Sequence, residues 1–168
     1  MQLISIIMPY YKKIDCINRA IKSVTKQTYK KFELIIVYDD QNLEDYYKIK
    51  KFIRSNKKIK VIKNKKNIGA GESRNIGIKN SNGNIITFID SDDTWHPQKL
   101  KKQLNFLNKN HYNFTFCGYK KILKKKILKV TINSESLNYK DLLKSCEIGL
   151  STVMIKKKII NNHLFVNL

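Results

Sequence analysis

Arginine is nearly missing from a chain that is otherwise strongly basic. Only Arg19, Arg54 and Arg74 are arginine among 34 basic residues, leaving 31 lysines (34 − 3) against 13 acids and a formal charge of +21. Base-edge and phosphate-fork recognition relies on the planar guanidinium. A lysine surplus spread from Lys12 to Lys158 among abundant Ile and Asn reads as codon bias as much as a ligand-selected surface. Specific nucleic-acid binding is therefore not expected. Salt-sensitive attraction to polyanions and peripheral contact with an anionic membrane are. Cysteine is scarce as well: Cys16, Cys117 and Cys146 match no paired or metal-ligand spacing, which points to reduced thiols in a cytoplasmic protein. His96, His111 and His163 are equally isolated and read as structural or surface residues. No apolar run approaches the ~20 residues of a membrane helix. Met1 to Pro9 has no basic leader and reads as a strand opening the mature fold, so the chain is expected to be soluble or peripheral at the inner face of the membrane. Glycine-rich phosphate loops are missing too. There is no Gly-x-x-x-x-Gly-Lys-Ser/Thr, and Gly69-Ala70-Gly71 lacks the third glycine of a dinucleotide fingerprint, which argues against kinase, ATPase and NAD chemistry.

What is present alternates. The length suits one α/β domain. β-rich runs fall at residues 3–8, 32–38, 59–62 and 85–89, the first stopped by Pro9, with a later strand at 151–155. Between them Ile14, Ile17, Ile21 and Val24 recur at helical spacing, as do Leu43, Tyr46, Tyr47, Ile49, Phe52 and Ile53, and later Leu100, Leu104 and Leu107. A further helix is expected over 73–79, with Gly83 near its end as a C-cap. Residues 112–119 and 122–132 read as two strands, 137–143 as a short helix and 156–161 as a last helical turn. Alternating strands and helices imply a mostly parallel sheet with right-handed crossovers, whose ligands sit beyond the carboxyl ends of the strands.

That rule selects three loops: Pro9 to Lys13, Asp39-Asp40, and Asp90-Ser91-Asp92-Asp93. The last follows Ile85-Ile86-Thr87-Phe88-Ile89, an unbroken apolar run suited to a strand buried on both faces. Carboxylates crowded there repel one another and lose hydration, a cost that a hard divalent cation such as Mg²⁺ or Mn²⁺ between Asp90 and Asp92 would relieve. Helix capping by Ser91-Asp92-Asp93 is the bland alternative. Two acidic strand ends converging on one crevice are hard to explain by capping alone. Carboxylates and a metal in this setting suit a diphosphate-bearing ligand, with the metal offsetting charge on a departing diphosphate and Arg74 as a cationic donor.

Six stretches now carry a resemblance: Ile4-Ser5-Ile6-Ile7-Met8-Pro9-Tyr10-Tyr11, Ser23-Val24-Thr25-Lys26-Gln27-Thr28-Tyr29, Phe32-Glu33-Leu34-Ile35-Ile36-Val37-Tyr38-Asp39-Asp40, Asn67-Ile68-Gly69, Ser73-Arg74-Asn75-Ile76-Gly77-Ile78 and Phe88-Ile89-Asp90-Ser91-Asp92-Asp93. In this order they resemble the family 2 glycosyltransferases, and less distinctly so through Ser151-Thr152-Val153-Met154-Ile155. The resemblance implies a three-layer, Rossmann-like nucleotide-diphospho-sugar transferase (GT-A) fold. It implies an inverting transferase that moves a sugar from a nucleotide-diphospho-sugar donor to an acceptor hydroxyl on a glycan or lipid-linked acceptor, in cell-surface polysaccharide synthesis. It assigns Pro9, Tyr11, Asp39, Asp40, Arg74, Asp90, Ser91 and Asp92 to the donor, and Asp92 with Asp90 to the metal. Asp40 matches the base-contacting acid if the second Asp of the motif is taken. The segment is one residue longer than usual from Glu33, however, and Gln41-Asn42 replaces the common Gly-Ser, so both acids stay candidates.

The expected division is a nucleotide-sugar-binding part over 1–95 and a partial acceptor-side part over 96–168. The family's general base normally follows a segment like 151–165, and no carboxylate side chain follows Glu147 here. The base is therefore expected beyond Leu168, in a chain cut short before that motif. A donor-binding module without catalysis, and a nucleotidyltransferase, are the alternatives. The latter usually opens on a Gly-rich basic loop, whereas Pro9-Tyr10-Tyr11-Lys12-Lys13 has no glycine.

Overall fold

The computed structural model describes residues 1–123, 126–131, 140, 148–160 and 164–165. Strands β1 (Ile4–Tyr10), β2 (Phe32–Tyr38), β3 (Ile59–Lys63) and β4 (Ile85–Phe88) run parallel in the order β3-β2-β1-β4. β8 (Met154–Lys156) joins β4 antiparallel, and β5 (Phe114–Thr115) closes the edge against β8. β1 lies between β2 and β4, and every one of its residues is buried. Its side chains alternate between two cores. Ile4, Ile6, Met8 and Tyr10 meet the helices α1 (Ile14–Thr25), α2 (Leu43–Ile53) and α4 (Lys99–Lys109), while Ile7 meets α3 (Gly69–Lys79) and the C-terminal segment. This is the three-layer, mostly parallel α/β fold expected. The sheet reverses direction at β1 and β4, which opens a crevice at the ends of these strands.

Several boundaries differ from the sequence reading, each for a tertiary reason. β1 runs on through Pro9 to Tyr10. The Ile89 amide donates to Ile7 O, the Asp39 amide to Tyr10 O, and β4 pairs with β1 only as far as Ile7. Pro9 therefore faces a flank that β4 has already left, where a missing N–H removes no ladder bond. α3 begins at Gly69, four residues earlier than expected, because a side chain from β2 satisfies its first amides. Gly83 is not the cap of α3, whose C-cap is Asn80. Gly83 instead passes so close to β1 that a Cβ would stand 2.7 Å from Leu3 O and 2.8 Å from Ser5 N. The strand expected over 112–119 is split. β5 stays in the main sheet, and β6 (Tyr119–Leu123) leaves it to form a separate hairpin with β7 (Lys126–Thr131). The expected turn at 156–161 is a 3₁₀ segment, Lys157–Ile159. The helix expected over 137–143, together with Cys146 and His163, lies outside the described residues.

Polar ties hold the layers in register. Gln27, fully buried, accepts from the Leu100 amide at 3.0 Å and donates to His96 O at 2.8 Å, fixing the 94–98 loop against the end of α1. Lys99 is less easily accommodated. Its ammonium sits 4.2 Å from the Trp95 ring centroid and donates to Gln103 Oε1 at 2.9 Å. Burial pushes its pKa down to about 8, with the neighbouring Cys117 opposing the shift.

Both features can be tested by unfolding. Gly77 presses on Ile7, so Gly77→Ala must shift a buried β1 side chain, and urea unfolding should show a loss of about 1–3 kcal/mol. For Lys99, the folded pKa lies below the unfolded one, so its cost is complete below about pH 8 and fades as pH rises towards 10.5. Lys99→Met should be more stable than the parent at pH 7, by a margin that shrinks between pH 8 and 10.

Candidate active site

The crevice is a cavity of about 330 Å³ beyond the ends of β1, β2 and β4. Pro9, Tyr11, Asp39, Arg74, Asp90, Ser91 and Asp92 all line it, so the structure brings together seven of the eight residues singled out in the sequence. The eighth, Asp40, turns elsewhere. Its carboxylate accepts from the Lys12 amide at 3.1 Å and the Asn42 amide at 3.2 Å, shaping the loop after β1 and the start of α2. Lys12 takes a left-handed φ of 48° in that loop.

Asp39, 2 % exposed, is the acid of the pair that reaches the cavity. Its oxygens accept from the Gly69 amide at 2.8 Å, the Ile68 amide at 3.0 Å and Asn64 Nδ2 at 2.8 Å. A carboxylate at the first turn of α3 satisfies amides that lack an intrahelical partner and complements the helix dipole. Gly69, at φ +85°, supplies the left-handed turn this requires. The same docking aims Arg74 across the crevice. Its Nη2 donates to Asp90 Oδ1 at 2.7 Å, its guanidinium carbon lies 5.6 Å from the Phe165 ring centroid, and its buried Nε has no hydrogen-bond partner among the described residues.

Asp90 and Asp92 stand at the mouth with 41 % and 43 % of their side chains exposed. Each has one cation: Arg74 for Asp90, and Lys13 Nζ at 3.0 Å for Asp92. The Lys13 pair is half-exposed, where water screens such contacts and they are easily exchanged. Asp93 completes the acid loop. Partial withdrawal from water raises its carboxyl above the ordinary range; a hydrogen bond to Ser151 opposes this, and the charges of Asp90 and Asp92 add to it. Among the described residues no three acids, histidines or cysteines converge as a ready-made metal cage. Two convergent carboxylates do fit a hard cation whose remaining ligands are phosphate oxygens and water.

Sequence reasoning missed the supports. Ser151 Oγ accepts from the Asp90 amide at 3.0 Å, and Ser151 O accepts from Trp95 Nε1 at 2.9 Å, so a residue 61 positions downstream holds both ends of the acid loop. Asn64, which braces Asp39, was unmarked, and Lys13, which pairs with Asp92, was marked only as the end of the loop after β1. Asn67 and Ser151 stood in stretches of the resemblance without a role of their own. The general base is expected beyond Leu168, which lies outside the described residues, as do the three acids nearest to it in sequence, Glu135, Asp141 and Glu147.

Comparisons with known proteins place the fold and the family. WfgD of Escherichia coli, a UDP-Glc:alpha-D-GlcNAc-diphosphoundecaprenol beta-1,3-glucosyltransferase, is 36% identical over 163 residues, covering 97% of this chain and 64% of WfgD. S. aureus TarS in complex with UDP superposes with a TM-score of 0.75 at 22% identity, over 97% of this chain and 49% of TarS. The mannosyltransferase PcManGT of Pyrobaculum calidifontis, in complex with GDP-Man and Mn²⁺, gives 0.73 at 13% identity, over 95% of this chain and 46% of its own. The chain thus spans about half to two thirds of these proteins, and its GT-A fold is theirs. The sequence profile described as glycosyl transferase family 2 matches residues 5–161, and the chain belongs to that family.

Proposed function

We propose that this chain is the donor-binding part of a metal-dependent inverting glycosyltransferase that acts in cell-surface polysaccharide synthesis, with a uridine diphospho-sugar as donor and a lipid-linked glycan as acceptor. The observation that carries the reading is the convergence of Asp39, Arg74, Asp90 and Asp92 on one cavity at the switch point of the sheet. The names of WfgD and of the UDP-bound TarS support uridine and, in WfgD, a diphosphoundecaprenol acceptor. Mn²⁺ beside GDP-Man in PcManGT supports the metal.

In this reading Asp39, rather than Asp40, takes the nucleotide side, and Pro9 and Tyr11 form its wall. Asp92, with Asp90, would hold Mg²⁺ or Mn²⁺, which supplies a Lewis acid for the departing diphosphate. Arg74 orients Asp90 and offers the remaining donors of its guanidinium to the same phosphates. Ser151 and Trp95 keep the acid loop from relaxing under carboxylate repulsion. The cavity is lined between Pro9 and Asp92, which supports residues 1–95 as the nucleotide-sugar-binding part and 96–168 as the acceptor-side part. The three-carboxylate loop without a glycine-rich partner favours sugar transfer over nucleotidyl transfer.

Calorimetry with UDP tests the donor site. Binding should need Mg²⁺ or Mn²⁺, and Asp92→Asn should weaken it at least tenfold, the scale of a charged contact worth roughly 1.5–3 kcal/mol. UDP binding that ignores both metal and mutation would sink the assignment. Ser151→Ala should leave the fold intact by circular dichroism, yet lower metal affinity measured in the presence of UDP, because it removes the hydroxyl that accepts from the Asp90 amide and bonds the Asp93 carboxyl, while the backbone anchor of Trp95 stays. A separate comparison concerns transfer. A positioned base contributes about 10²–10⁴-fold, and residues 148–168 carry no acid. These 168 residues should bind donor but transfer it slowly to acceptor glycans, and faster when extended beyond Leu168 through the native downstream sequence. Equal rates would place the base within residues 1–168.

A further inference from the structure

A second cavity, of about 540 Å³, opens between α1 and the segment from Thr94 to Pro97. It adjoins the acid loop from the side of α1, because Arg19, which lines it, donates to the backbone oxygen of Asp92 at 3.4 Å. Arg19, Lys22 and Lys26 face into it at a spacing of three and four residues, one stripe along α1 and its C-cap, and Asp15 is the only acid of its lining. Like charges at that spacing on a helix repel one another. Among the described residues none of the three cations forms an ion pair; Lys22 instead lies over the Phe52 ring at 5.9 Å. Water and salt screen part of this repulsion, since all three side chains are exposed. They nonetheless share with one acid a concavity backed by the buried Trp95, which leaves a net two positive charges (3 − 1) available to an anion.

The shape suits a ligand longer than a single phosphate. From Arg19 to Lys26 the helix rises about 10 Å at 1.5 Å per residue, and the cations along that length can engage several oxygens in succession, with lysine serving phosphate as a point charge. The donor's own diphosphate is already provided for by Asp90, Asp92 and Arg74 in the crevice. We propose that the α1 cavity is a second phosphate-binding subsite, which holds the diphosphate of a lipid-linked acceptor beside the acid loop. This rests on the glycosyltransferase reading above, and the experiment separates the two.

The chain's single tryptophan, Trp95, lines the cavity and reports on it directly. Its emission is followed in EDTA, so that the metal-dependent crevice is silent, while farnesyl diphosphate or inorganic pyrophosphate is added. The Lys22→Gln/Lys26→Gln variant should bind both probes at least tenfold more weakly. A Lys101→Gln/Lys102→Gln variant, with the same charge change on the exposed face of α4, should differ less than twofold. Vesicles of phosphatidylglycerol, which sense the whole basic surface, should be lost equally from both variants. Equal weakening of the probes in both variants would show diffuse charge and overturn the subsite, as would no change in either. Loss confined to vesicle binding in the α1 variant would assign the cavity to a membrane surface and overturn it too. UDP with Mn²⁺ is titrated in parallel and should bind within twofold in all three proteins. Absent UDP binding to the parent chain refutes the donor reading, whereas normal UDP binding with indifferent probes refutes the subsite alone.

Discussion

The carboxylate of Asp39 is the contact on which the crevice depends. It is almost wholly buried at the end of β2, and it is tolerable there because backbone amides of Ile68 and Gly69 and the amide of Asn64 close around it. That arrangement costs the chain an anion removed from water. It returns a fixed origin for α3, and from that origin Arg74 reaches Asp90 and Asn75 reaches the backbone of Phe165. A neutral cap of the same shape would serve α3 less well, since the helix dipole and the converging N–H groups both favour negative charge.

The rest of the site is a balance among like charges. Asp90, Asp92 and Asp93 crowd the end of a buried strand, and the protein supplies one buried guanidinium and one exchangeable lysine against them. Asp93, raised chiefly by partial withdrawal from water and further by the charges of Asp90 and Asp92, shows how little the loop does to solvate its own acids. Such a loop is held by its neighbours rather than by its own geometry, which gives weight to Ser151 and to the Trp95 indole.

Much of this is legible in the sequence, for a physical reason. Strands buried on both faces appear as unbroken apolar runs, and in a parallel sheet the loops after them face a common edge, so Pro9, Asp39 and Asp90 can be gathered from the sequence alone. The misreadings share one cause. Pro9 looks like a stop, Gly83 like a cap and Ser73 like a helix start when each is judged against adjacent residues; in the fold each is decided by a partner far away, namely the early end of β4, the closeness of β1 and the carboxylate of Asp39. Motif counting leaves Asp39 and Asp40 both open, and only the direction of the loop separates them: one carboxylate faces the cavity and the other the Lys12 amide. Ser151 and Gln27 stand in stretches of the resemblance, but nothing local marks them as braces, since a serine or glutamine becomes one only once the backbone it serves is beside it.

The Ser151 anchor also bears on how the protein is made. The four parallel strands and the acid loop are complete in the nascent chain by Asp93, yet the Asp90 amide and the Trp95 indole find their partner only when residue 151 has emerged, 61 positions after Asp90. Synthesis at about 5–20 residues per second puts several seconds between those events. Until then the acid loop lacks the two bonds that residue 151 supplies, and these form as the antiparallel strand β8 docks against β4.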